Sequence, residues 1–341
     1  MNISIPTLPL GKLSPAFLSE LLDKYTTIDE TVIIGPKIGE DATVIDQGEF
    51  YLVAKTDPIT FVTENIGYYA ININANDIAC MGGIPRWFLV TILLPEGLTT
   101  KEMVDKIFSQ LNSACQELDI LFCGGHTEVT YGINRPILIG QMLGVVEKQS
   151  LINSKNALQG DDILLTKGIA IEATSIIARE KEERLSDIYS EDLVEKCKNF
   201  VYDPGISVLK DAKLVARVGG IHAMHDPTEG GLARGLHELA MSCGIGLKIF
   251  EQEIPIIPES KLLCDQYNID PLGAIASGAL IIVADPHRTH DIMETFKQNQ
   301  INIKTIGKAM PAEYGVKVIV NESEMDLPEF HQDEITKLFS V

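Results

Sequence analysis

The sequence has few basic residues for its length. Lys and Arg number 28 against 48 Asp and Glu, which leaves a formal net charge of −20. Nucleic acids and anionic membranes bind proteins through basic surfaces, so we expect neither as a partner. An acidic site can still hold a nucleotide, because divalent cations bridge carboxylate and phosphate oxygens.

The six cysteines are scattered, and none stands in a C-x-x-C pair. A zinc ribbon and a redox dithiol both need such pairs, so neither is predicted. Isolated cysteines are typical of a reducing compartment. Residues 1–10 contain no basic segment followed by an apolar run, and no stretch reaches the length of a membrane span. We therefore expect a soluble, cytoplasmic protein.

Two common phosphate-binding signatures are also missing, namely a Walker-type loop and a Gly-x-Gly-x-x-Gly turn after a first strand. The length of 341 residues and the apolar content of 45% fit about two domains with substantial cores. Strand-like and helix-like segments alternate in both halves, which predicts a two-domain α/β (α+β) fold. A polar stretch at 151–160 places the boundary between residues 1–152 and 153–341.

The segment 72–83 is predicted to be the end of a helix with one apolar face. The glycines at 82–83 end it, and Pro85 prevents it from continuing. Its polar residues are unusual, since Asn and Asp are weak helix formers that compete for backbone hydrogen bonds. The side that carries Asn76 and Asp77 is therefore either a ligand-facing surface or a solvent-exposed stripe.

Acidic residues also stand beside the first predicted strands. Glu40 and Asp41 precede a β-type run at 42–45, and Asp57 follows a buried strand at 50–56. A proline directly after Asp57 fixes the backbone there. Acids at such positions are suitable metal ligands, but they are also common in solvated turns. From these residues alone, both interpretations stay open.

Two glycine-containing segments follow predicted strands in the middle of the chain. A strand at 120–122 leads into Cys123-Gly-Gly-His-Thr-Glu128, where two glycines allow a backbone to approach a ligand closely. A strand at 221–225 leads into Asp226-Pro-Thr-Glu-Gly-Gly231. The second segment fits a capping box in which Asp226 caps the next helix. Its two glycines indicate tight packing instead, for example against a phosphate.

Two further segments have readings that depend on context. Lys167-Gly168 follows a strand at 162–166 and is either a phosphate contact or a surface turn. Asp203-Pro204 is predicted to be the cap and first residue of a helix over 205–217, because proline is favoured at the first helical position.

The acidic residues favour a magnesium site. Asp41, Asp57, Asp77 and Asp226 supply hard oxygen ligands, which suit Mg2+ bound to nucleotide phosphates. Glycine-flanked backbone near three of these aspartates would surround the phosphates. This hypothesis collects more of the unusual residues than any other.

Two alternative sites have less support. His222, His225 and Asp226 would suit a zinc or iron hydrolase, but His222 and His225 point to opposite faces of a strand. Cys123 with His126 would suit a nucleophilic pair. No third residue supports that pair, and a cysteine that ends an apolar strand usually belongs to a core.

Five motifs occur together and in order: Gly-Glu-Asp-Ala (39–42), Thr-Asp-Pro (56–58), Asn-Ala-Asn-Asp-Ile-Ala (74–79), Gly-Gly-His-Thr-Glu (124–128) and Asp-Pro-Thr-Glu-Gly-Gly (226–231). The set resembles the PurM-like ATP-dependent superfamily, which includes AIR synthetase, selenophosphate synthetase, thiamine-phosphate kinase and the hydrogenase maturation factor HypE. Among these, the chain most resembles HypE, with further matches at 9–15 and 203–207. The resemblance extends to about residue 320.

This resemblance implies a PurM-like fold in which the N-terminal domains of a homodimer pair into a β-barrel, with ATP in clefts at the interface. It implies Mg2+ ligands at Asp41, Asp57, Asp77 and Asp226. It is consistent with a nucleotide site formed by Gly39, Lys55, Asn76, Gly124, Gly125, Thr127 and Lys167. The residues near the transferring phosphate, and hence catalytic, would be His126, Glu128 and Asp77.

The implied function is ATP- and Mg2+-dependent phosphorylation of a carbonyl- or amide-type oxygen, followed by dehydration or condensation, as in metallocentre maturation. HypE proteins carry the reacting group on the cysteine of a C-terminal Pro-Arg-x-Cys tail. The last cysteine here is Cys264, and the sequence ends Phe339-Ser340-Val341. We therefore expect either a separate acceptor, which is a small molecule or a carrier protein, or a loss of the tail chemistry.

Two alternatives to this function stay open. The first is a small-molecule kinase that uses the same ATP site. The second is a non-catalytic nucleotide-binding subunit that acts with a partner protein in a maturation complex.

Overall fold

The computed structural model describes residue 8 and residues 11–339, and it consists of two β-sheets with helices packed against them. The ten α-helices in this part of the chain are α1 (Pro15–Tyr25), α2 (Ile66–Cys80), α3 (Lys101–Glu117), α4 (Ile171–Glu180), α5 (Glu182–Ser186), α6 (Glu191–Lys198), α7 (Leu209–Val218), α8 (Gly231–Cys243), α9 (Pro258–Gln266) and α10 (Pro286–Gln298). The predicted motif at 9–15 and the C-terminal Ser340-Val341 extend beyond the described residues.

The first sheet contains β1 (Val32–Ile34), β2 (Thr43–Asp46), β3 (Tyr51–Ile59), β4 (Ile84–Pro95), β5 (Leu121–Thr130) and β6 (Ile137–Val146). The spatial order is β1-β2-β3-β6-β4-β5, and only the β4–β5 pair is parallel within this described sheet. The strand β5 therefore forms one edge.

Helix α2 covers this first sheet and is buried along its whole length except at Tyr68. A Cβ added at Gly140 or Gly144 of β6 would lie 2.4 Å from Asn74 or 2.3 Å from Ile78, respectively. Glycine is therefore required at both positions, because the helix and the strand pack so closely. A helix buried on all sides cannot present a solvent-exposed stripe, so that interpretation of its Asn and Asp residues is wrong.

The second sheet contains β7 (Asp162–Thr166), β8 (Ile221–His225), β9 (Gly246–Phe250), β10 (Ile281–Ala284), β11 (Ile303–Met310), β12 (Val316–Val320) and β13 (Ser323–Asp326). Its order is β13-β12-β9-β11-β7-β10-β8, and β9–β12 is the parallel pair. The central β7 and β10 are fully buried, as continuous apolar runs predict. The predicted α/β (α+β) class is confirmed, while the exact boundary at residue 152 stays a prediction.

The strand β5 is longer than predicted. It continues through residues 123–128, whereas the sequence predicted a strand at 120–122 alone. Gly124 and Gly125 have φ values of +107° and +140°, and the pairing with β4 shifts its register between Phe88 and Leu89. The shift leaves Cys123 without a partner in β4, and the strand continues through the two glycines, which propensity alone does not reveal.

Two predicted helix starts are wrong. Helix α7 begins at Leu209, well after Asp203-Pro204, and the side chain of Asn76 accepts a hydrogen bond from the Val208 N–H at that end. Helix α8 begins at Gly231, with Gly230 in the left-handed region before it. The caps come from tertiary contacts and left-handed glycine, so local sequence patterns mislead at both places.

Helix α1 begins with a side-chain cap followed by proline. Ser14 caps α1, with its hydroxyl accepting a hydrogen bond from Phe17 N–H, and Pro15 is the first helical residue. Across residue 8 and residues 11–339, no helix has both the length and the apolar character that crossing a bilayer requires.

Candidate active site

All four predicted metal ligands line one cavity of about 310 Å³, together with predicted Gly39 and Lys55. Asp41 lies just before β2, Asp57 lies within β3 and Asp77 lies in the last turn of α2. Asp226 directly follows β8 of the second sheet. The cavity therefore lies where the two sheets meet, and each side chain comes from the end of an element or from a strand that packs against α2.

Lys55 is a cation in contact with this group of carboxylates. Its Nζ lies 2.9 Å from Asp77 Oδ1 and 3.8 Å from Asp57 Oδ2. Burial lowers the pKa of Lys55, but the carboxylates of Asp77 and Asp57 outweigh it and hold that pKa above its usual value. The ammonium therefore stays charged and is placed to contact anionic oxygens in the cavity.

The carboxylates carry more negative charge than Lys55 can compensate. Burial and the nearby Asp226, Asp57 and Asp41 hold the pKa of Asp77 well above its usual range, although Lys55 opposes them. Burial and Asp41 raise the pKa of Asp226 to about 7. Such raised values are typical of carboxylates that are buried close to one another, and a divalent cation would reverse them.

Two of the buried carboxylate oxygens that have no hydrogen-bond partner among the described residues belong to these four aspartates, namely Asp77 Oδ2 and Asp226 Oδ2. Buried polar atoms without partners are rare in folded proteins and are costly when they belong to acids. Both oxygens belong to residues that line the cavity. The observation fits a group of hard oxygen ligands for Mg2+.

Cys80 lies next to this group but does not match its chemistry. Its Sγ is 3.4 Å from Asp226 Oδ1 and forms a compact set with Asp41 and Asp226. Burial and the surrounding aspartates raise the pKa of the Cys80 thiol well above its usual value. A neutral thiol is a poor metal ligand, so the oxygen donors define the site.

His225 connects the two halves of the cavity. Its Nδ1 lies 2.6 Å from Asp41 Oδ1, and its Nε2 lies 3.5 Å from Glu238 Oε2. Burial lowers the pKa of His225, but the two carboxylates outweigh burial and hold it well above the usual value. Arg234 Nε in turn lies 2.9 Å from Glu238 Oε1. This series of ion pairs, from Arg234 through Glu238 and His225, fixes the orientation of Asp41.

Sequence reasoning missed the roles of His225, Glu238 and Arg234, which all line the cavity. His225 was considered only as part of a zinc or iron pair with His222. The structure separates the two, because His222 Nδ1 contacts Asp161 Oδ2 at 2.7 Å instead. Arg234 and Glu238 are spaced i, i+4 on α8, and this spacing of opposite charges is the feature of the sequence that could have predicted their ion pair.

Gly39 allows the chain to pass close to α8. Its φ is +79°, and a Cβ there would lie 2.1 Å from the Glu238 carbonyl oxygen. Only glycine fits such an approach. Gly39 thus positions the segment that carries Asp41, while its predicted contact with nucleotide stays a prediction.

Asn76 is buried, and both ends of its amide are occupied. Nδ2 donates to the Ile206 carbonyl, and Oδ1 accepts from Val208 N–H, each at 2.9 Å. Asn76 therefore joins α2 to the start of α7 across the two halves of the molecule. In this structure its amide does not face the cavity, so nucleotide contact through this side chain stays a prediction.

Lys167 also lies away from the four aspartates. Its Nζ donates to the carbonyls of Gly205 and Ser207 and lies 3.4 Å from Asp211 Oδ2. It lines a different cavity, next to Tyr202. The surface-turn interpretation is wrong, because this side chain is buried, whereas the phosphate contact stays a prediction.

The predicted segment 124–128 is on the exposed edge strand β5 and does not line the cavity of the four aspartates. Gly124, Gly125 and Thr127 are exposed, and the His126 side chain retains 66% of its accessibility. His126 Nε2 and Glu128 Oε2 are 3.1 Å apart. Within one chain, these predicted catalytic residues are not brought to the aspartates.

Two family models match the chain and cover most of it. The AIR synthase related protein N-terminal domain matches residues 39–146, and the AIR synthase related protein C-terminal domain matches residues 159–319. The chain belongs to the AIR synthase-related family. The predicted PurM-like resemblance is thereby confirmed.

Several curated relatives carry names of hydrogenase formation or of HypE. A Methanocaldococcus jannaschii protein assigned by name to hydrogenase expression and formation is 28% identical over 306 residues, which are 86% of this chain and 87% of that protein. Carbamoyl dehydratase HypE of Escherichia coli strain K12 is 24% identical over 283 residues, 80% of this chain and 79% of that protein.

Solved structures share the fold. A HypE–HypF complex gives a TM-score of 0.74 at 20% identity, covering 92% of this chain and 99% of that chain. HypE in complex with ATP gives a TM-score of 0.71 at 20% identity, covering 92% of this chain and 91% of that chain. ThiL complexed with AMPPCP and TMP gives a TM-score of 0.70 at 18% identity, covering 93% of this chain and 94% of that chain. The two-domain PurM-like fold predicted from the motifs is therefore confirmed.

Proposed function

We propose that this AIR synthase-related protein is a HypE-type enzyme that uses ATP to phosphorylate a carbonyl- or amide-type oxygen as a step of dehydration or condensation. The convergence of Asp41, Asp57, Asp77 and Asp226 on one cavity carries the proposal, since two of their buried oxygens lack partners. The names of two relatives, a hydrogenase expression/formation protein and a carbamoyl dehydratase HypE, support a role of this chemistry in hydrogenase maturation. We expect the reaction to take place in the cytoplasm, where a set of free cysteines is typical.

We further propose that the four aspartates hold Mg2+ with the phosphates of ATP. Such ions supply charge neutralisation for the transferring phosphoryl group. The residues of this chain contribute positioning. Lys55 places a charged ammonium at the cavity. The series of ion pairs from Arg234 through Glu238 to His225 holds Asp41 in place. Fixed charges that need no rearrangement during the reaction are the main source of rate enhancement in such sites.

We also propose that two chains form a homodimer through the sheet edge at β5, with the N-terminal domains pairing into a barrel. This edge exposes Leu121, Val129 and Tyr131. Exposed apolar edge strands are pairing sites and are normally covered. Pairing would place His126 and Glu128 at an interface and offers a way for them to reach the aspartates of the partner.

The dimer is tested by light scattering on a size-exclusion column. We expect wild-type protein to have twice the chain mass and Leu121→Asp with Val129→Asp to be monomeric. A monomeric wild-type protein would contradict the proposal. Phe339→Asp, which also alters an exposed apolar residue, is the control and should remain dimeric.

A kinase function is the second candidate, because the ThiL structure complexed with AMPPCP and TMP shares the fold at a TM-score of 0.70. A partner protein is a further proposal, suggested by the HypE–HypF complex. A non-catalytic role within such a complex would leave ATP binding without turnover. The acceptor itself is proposed to be a small molecule or a carrier protein.

The test of the main proposal begins with calorimetric titration of ATP with and without Mg2+. We expect about one ATP per chain and a requirement for Mg2+. ATP turnover is then followed with carboxamide compounds, with alcohols, and with a maturation partner. Stimulation by a carboxamide or by a carboxamide-carrying protein supports the dehydratase, stimulation by an alcohol supports the kinase, and no binding of ATP contradicts both.

A further inference from the structure

Cys80 places a sulfur atom beside two of the four aspartates. It is the last residue of α2, three residues after Asp77, so the two side chains share one face of the helix. Its exposed fraction is 1%, and its Sγ lies 3.4 Å from Asp226 Oδ1. The position of this thiol is therefore set by the same helix turn that carries a predicted Mg2+ ligand.

The thiol belongs to a compact group of metal-ligating side chains. In the described part of the chain, one group of at least three His, Cys, Asp or Glu side chains brings its donor atoms within 4.8 Å of one another, namely Asp41, Cys80 and Asp226. All three side chains are buried, and Asp226 Oδ2 has no hydrogen-bond partner within residue 8 and residues 11–339. A buried unpartnered oxygen in a compact set of donors indicates a ligand that the fold itself does not supply.

The distance between sulfur and oxygen suits a tetrahedral metal ion. Zinc bonds of about 2.3 Å to sulfur and about 2.1 Å to oxygen place the two ligand atoms about 3.6 Å apart at the tetrahedral angle. The observed 3.4 Å between Cys80 Sγ and Asp226 Oδ1 is close to that value. In the metal-free protein the same distance suits a thiol hydrogen bond. A small cation therefore needs little rearrangement of α2, or of the segment after β8, to bind both atoms.

The chemistry of sulfur decides which cation this group favours. Mg2+ prefers hard oxygen ligands, so the Cys80 thiol stays neutral beside it. Thiophilic cations such as Zn2+ and Cd2+ bind thiolate, and the thiol proton passes to the solvent when the metal–sulfur bond forms. The thiolate and the two carboxylates then carry three negative charges. The divalent cation neutralises two of them, and the ammonium of Lys55, which attracts both Asp41 and Asp226, offsets the third.

We propose that Asp41, Cys80 and Asp226 form a second metal position, which binds a thiophilic divalent cation of the zinc class in the absence of nucleotide. This inference rests on the proposed function for the role of the two aspartates as metal ligands, and it goes beyond that function because Mg2+ does not need the thiol. Mg2+ and the thiophilic cation require the same two carboxylates, so one excludes the other. Cys80 thereby makes nucleotide binding sensitive to thiophilic cations.

Cadmium is the probe that tests this inference without turnover, because a cadmium–thiolate bond has an ultraviolet charge-transfer band that cadmium–carboxylate bonds lack. We expect the wild-type protein without nucleotide to develop this band and to saturate at about one Cd2+ per chain. Cys80→Ser keeps the size of the side chain and replaces the sulfur. It should lose the band and at least about tenfold in Cd2+ affinity. No band in the wild type, or an undiminished band in Cys80→Ser, would overturn the inference.

Two further variants identify the sulfur that binds. Cys123→Ser is the matched control, because Cys123 is an exposed thiol outside the group of three donors, and it should retain the band and the affinity. Adding Cys243→Ser to it leaves only buried cysteines, of which Cys80 alone belongs to that group. This double variant should keep the band as well. Loss of the band there would overturn the inference, so the test does not depend on the folding of Cys80→Ser.

Calorimetry with Mg2+ and ATP on the wild-type protein separates this inference from the proposed function. A cadmium–thiolate band without Mg2+-dependent ATP binding would contradict the proposed function and leave the second metal position in place. Mg2+-dependent ATP binding without a cadmium–thiolate band would contradict the second metal position alone.

Discussion

His225 Nδ1 lies 2.6 Å from Asp41 Oδ1, although the two residues are 184 positions apart in the sequence. Asp41 belongs to the first half of the chain, next to β2, and His225 ends β8 of the second sheet. Both side chains are buried. A buried ion pair of this kind fixes the relative position of the two segments that it joins. Here one segment contains Asp41 and the other contains Asp226, which directly follows His225.

Removing the His225 imidazole should destabilise the protein. We expect His225→Leu to lower the free energy of unfolding by about 3 kcal/mol, because Asp41 and Glu238 would be left buried without this partner. Urea unfolding measures the effect. His290→Leu alters an exposed histidine on α10 and should change stability by less than about 0.5 kcal/mol. Equal effects of the two variants would show that the pair contributes nothing.

Asp77 should matter for ligand binding more than for folding. Its Oδ2 has no partner, and its pKa is held well above the usual range, so its charge is unfavourable in the ligand-free protein. We expect Asp77→Asn to unfold within about 1 kcal/mol of wild type and to lose at least about tenfold in Mg2+-dependent ATP affinity. Calorimetry and urea unfolding measure these two quantities.

Asp119→Asn, at an exposed turn residue, is the control and should bind ATP normally. If Asp77→Asn binds ATP and Mg2+ as the wild type does, Asp77 is not a metal ligand. A large loss of stability in Asp77→Asn would instead indicate that its ion pair with Lys55 is chiefly structural.

Asn76 should contribute to stability through its contacts with residues 206 and 208. We expect Asn76→Ala to lower the free energy of unfolding by about 2–3 kcal/mol, because a buried N–H and a buried carbonyl lose their partner. Asn72→Ala is a matched control on the same helix, since its amide donates only to the Tyr68 carbonyl one turn earlier. Its cost should be about 1 kcal/mol.

The sequence was most informative for residue types that have few chemical roles, such as aspartate as a ligand for Mg2+. Asp41, Asp57, Asp77 and Asp226 were predicted as a group, because three of them stand close to glycine or proline and Asp77 stands in an otherwise apolar helix. All four line one cavity. The residue that orients Asp41 was not predicted. Nothing in the local sequence of His225 reveals a partner 184 residues away, since the contact exists only once both sheets are in place.

The roles of amides and glycines were harder to predict, because they depend on where the amide points and on what the glycine backbone pairs with. The unusual polarity of α2 was recognised, yet the Asn76 amide points to residues 206–208, away from the cavity. The strand before the glycines at 124–125 was predicted to end at residue 122, yet β4 pairs with these glycines and with the residues after them. Tertiary pairing overrides local propensity in such cases.

Glu172 should make stability fall as pH rises. Burial raises its pKa from 4.5 to about 7, opposed by Ser277 and reinforced by Asp333. Because the folded protein then holds the proton more tightly than the unfolded chain does, the contribution of Glu172 is most favourable below pH 4.5. It is lost progressively up to about pH 7, by at most about 3 kcal/mol.

The comparison with Glu172→Gln isolates this effect from all other titrating groups. Gln does not ionise, so the variant should gain stability relative to wild type between pH 5 and pH 8. Urea unfolding at both pH values measures the difference. A constant difference between the two proteins at both pH values would contradict the raised pKa.

Gly39 should be required for the close contact between the first half of the chain and α8, and Gly48 provides a matched comparison. Both have positive φ, +79° and +85°, so alanine is strained by a similar amount at each. A Cβ at position 39 would lie 2.1 Å from the Glu238 carbonyl oxygen, whereas position 48 has no atom within 4 Å. We expect Gly48→Ala to cost about 1–2 kcal/mol of unfolding free energy and Gly39→Ala at least about 2 kcal/mol more, because the backbone next to Asp41 must move away from α8. Mg2+-dependent ATP affinity should also fall in Gly39→Ala alone, since Asp41 moves with it. If both alanine variants lose the same stability and bind ATP equally well, the approach of Gly39 to Glu238 does not position the site.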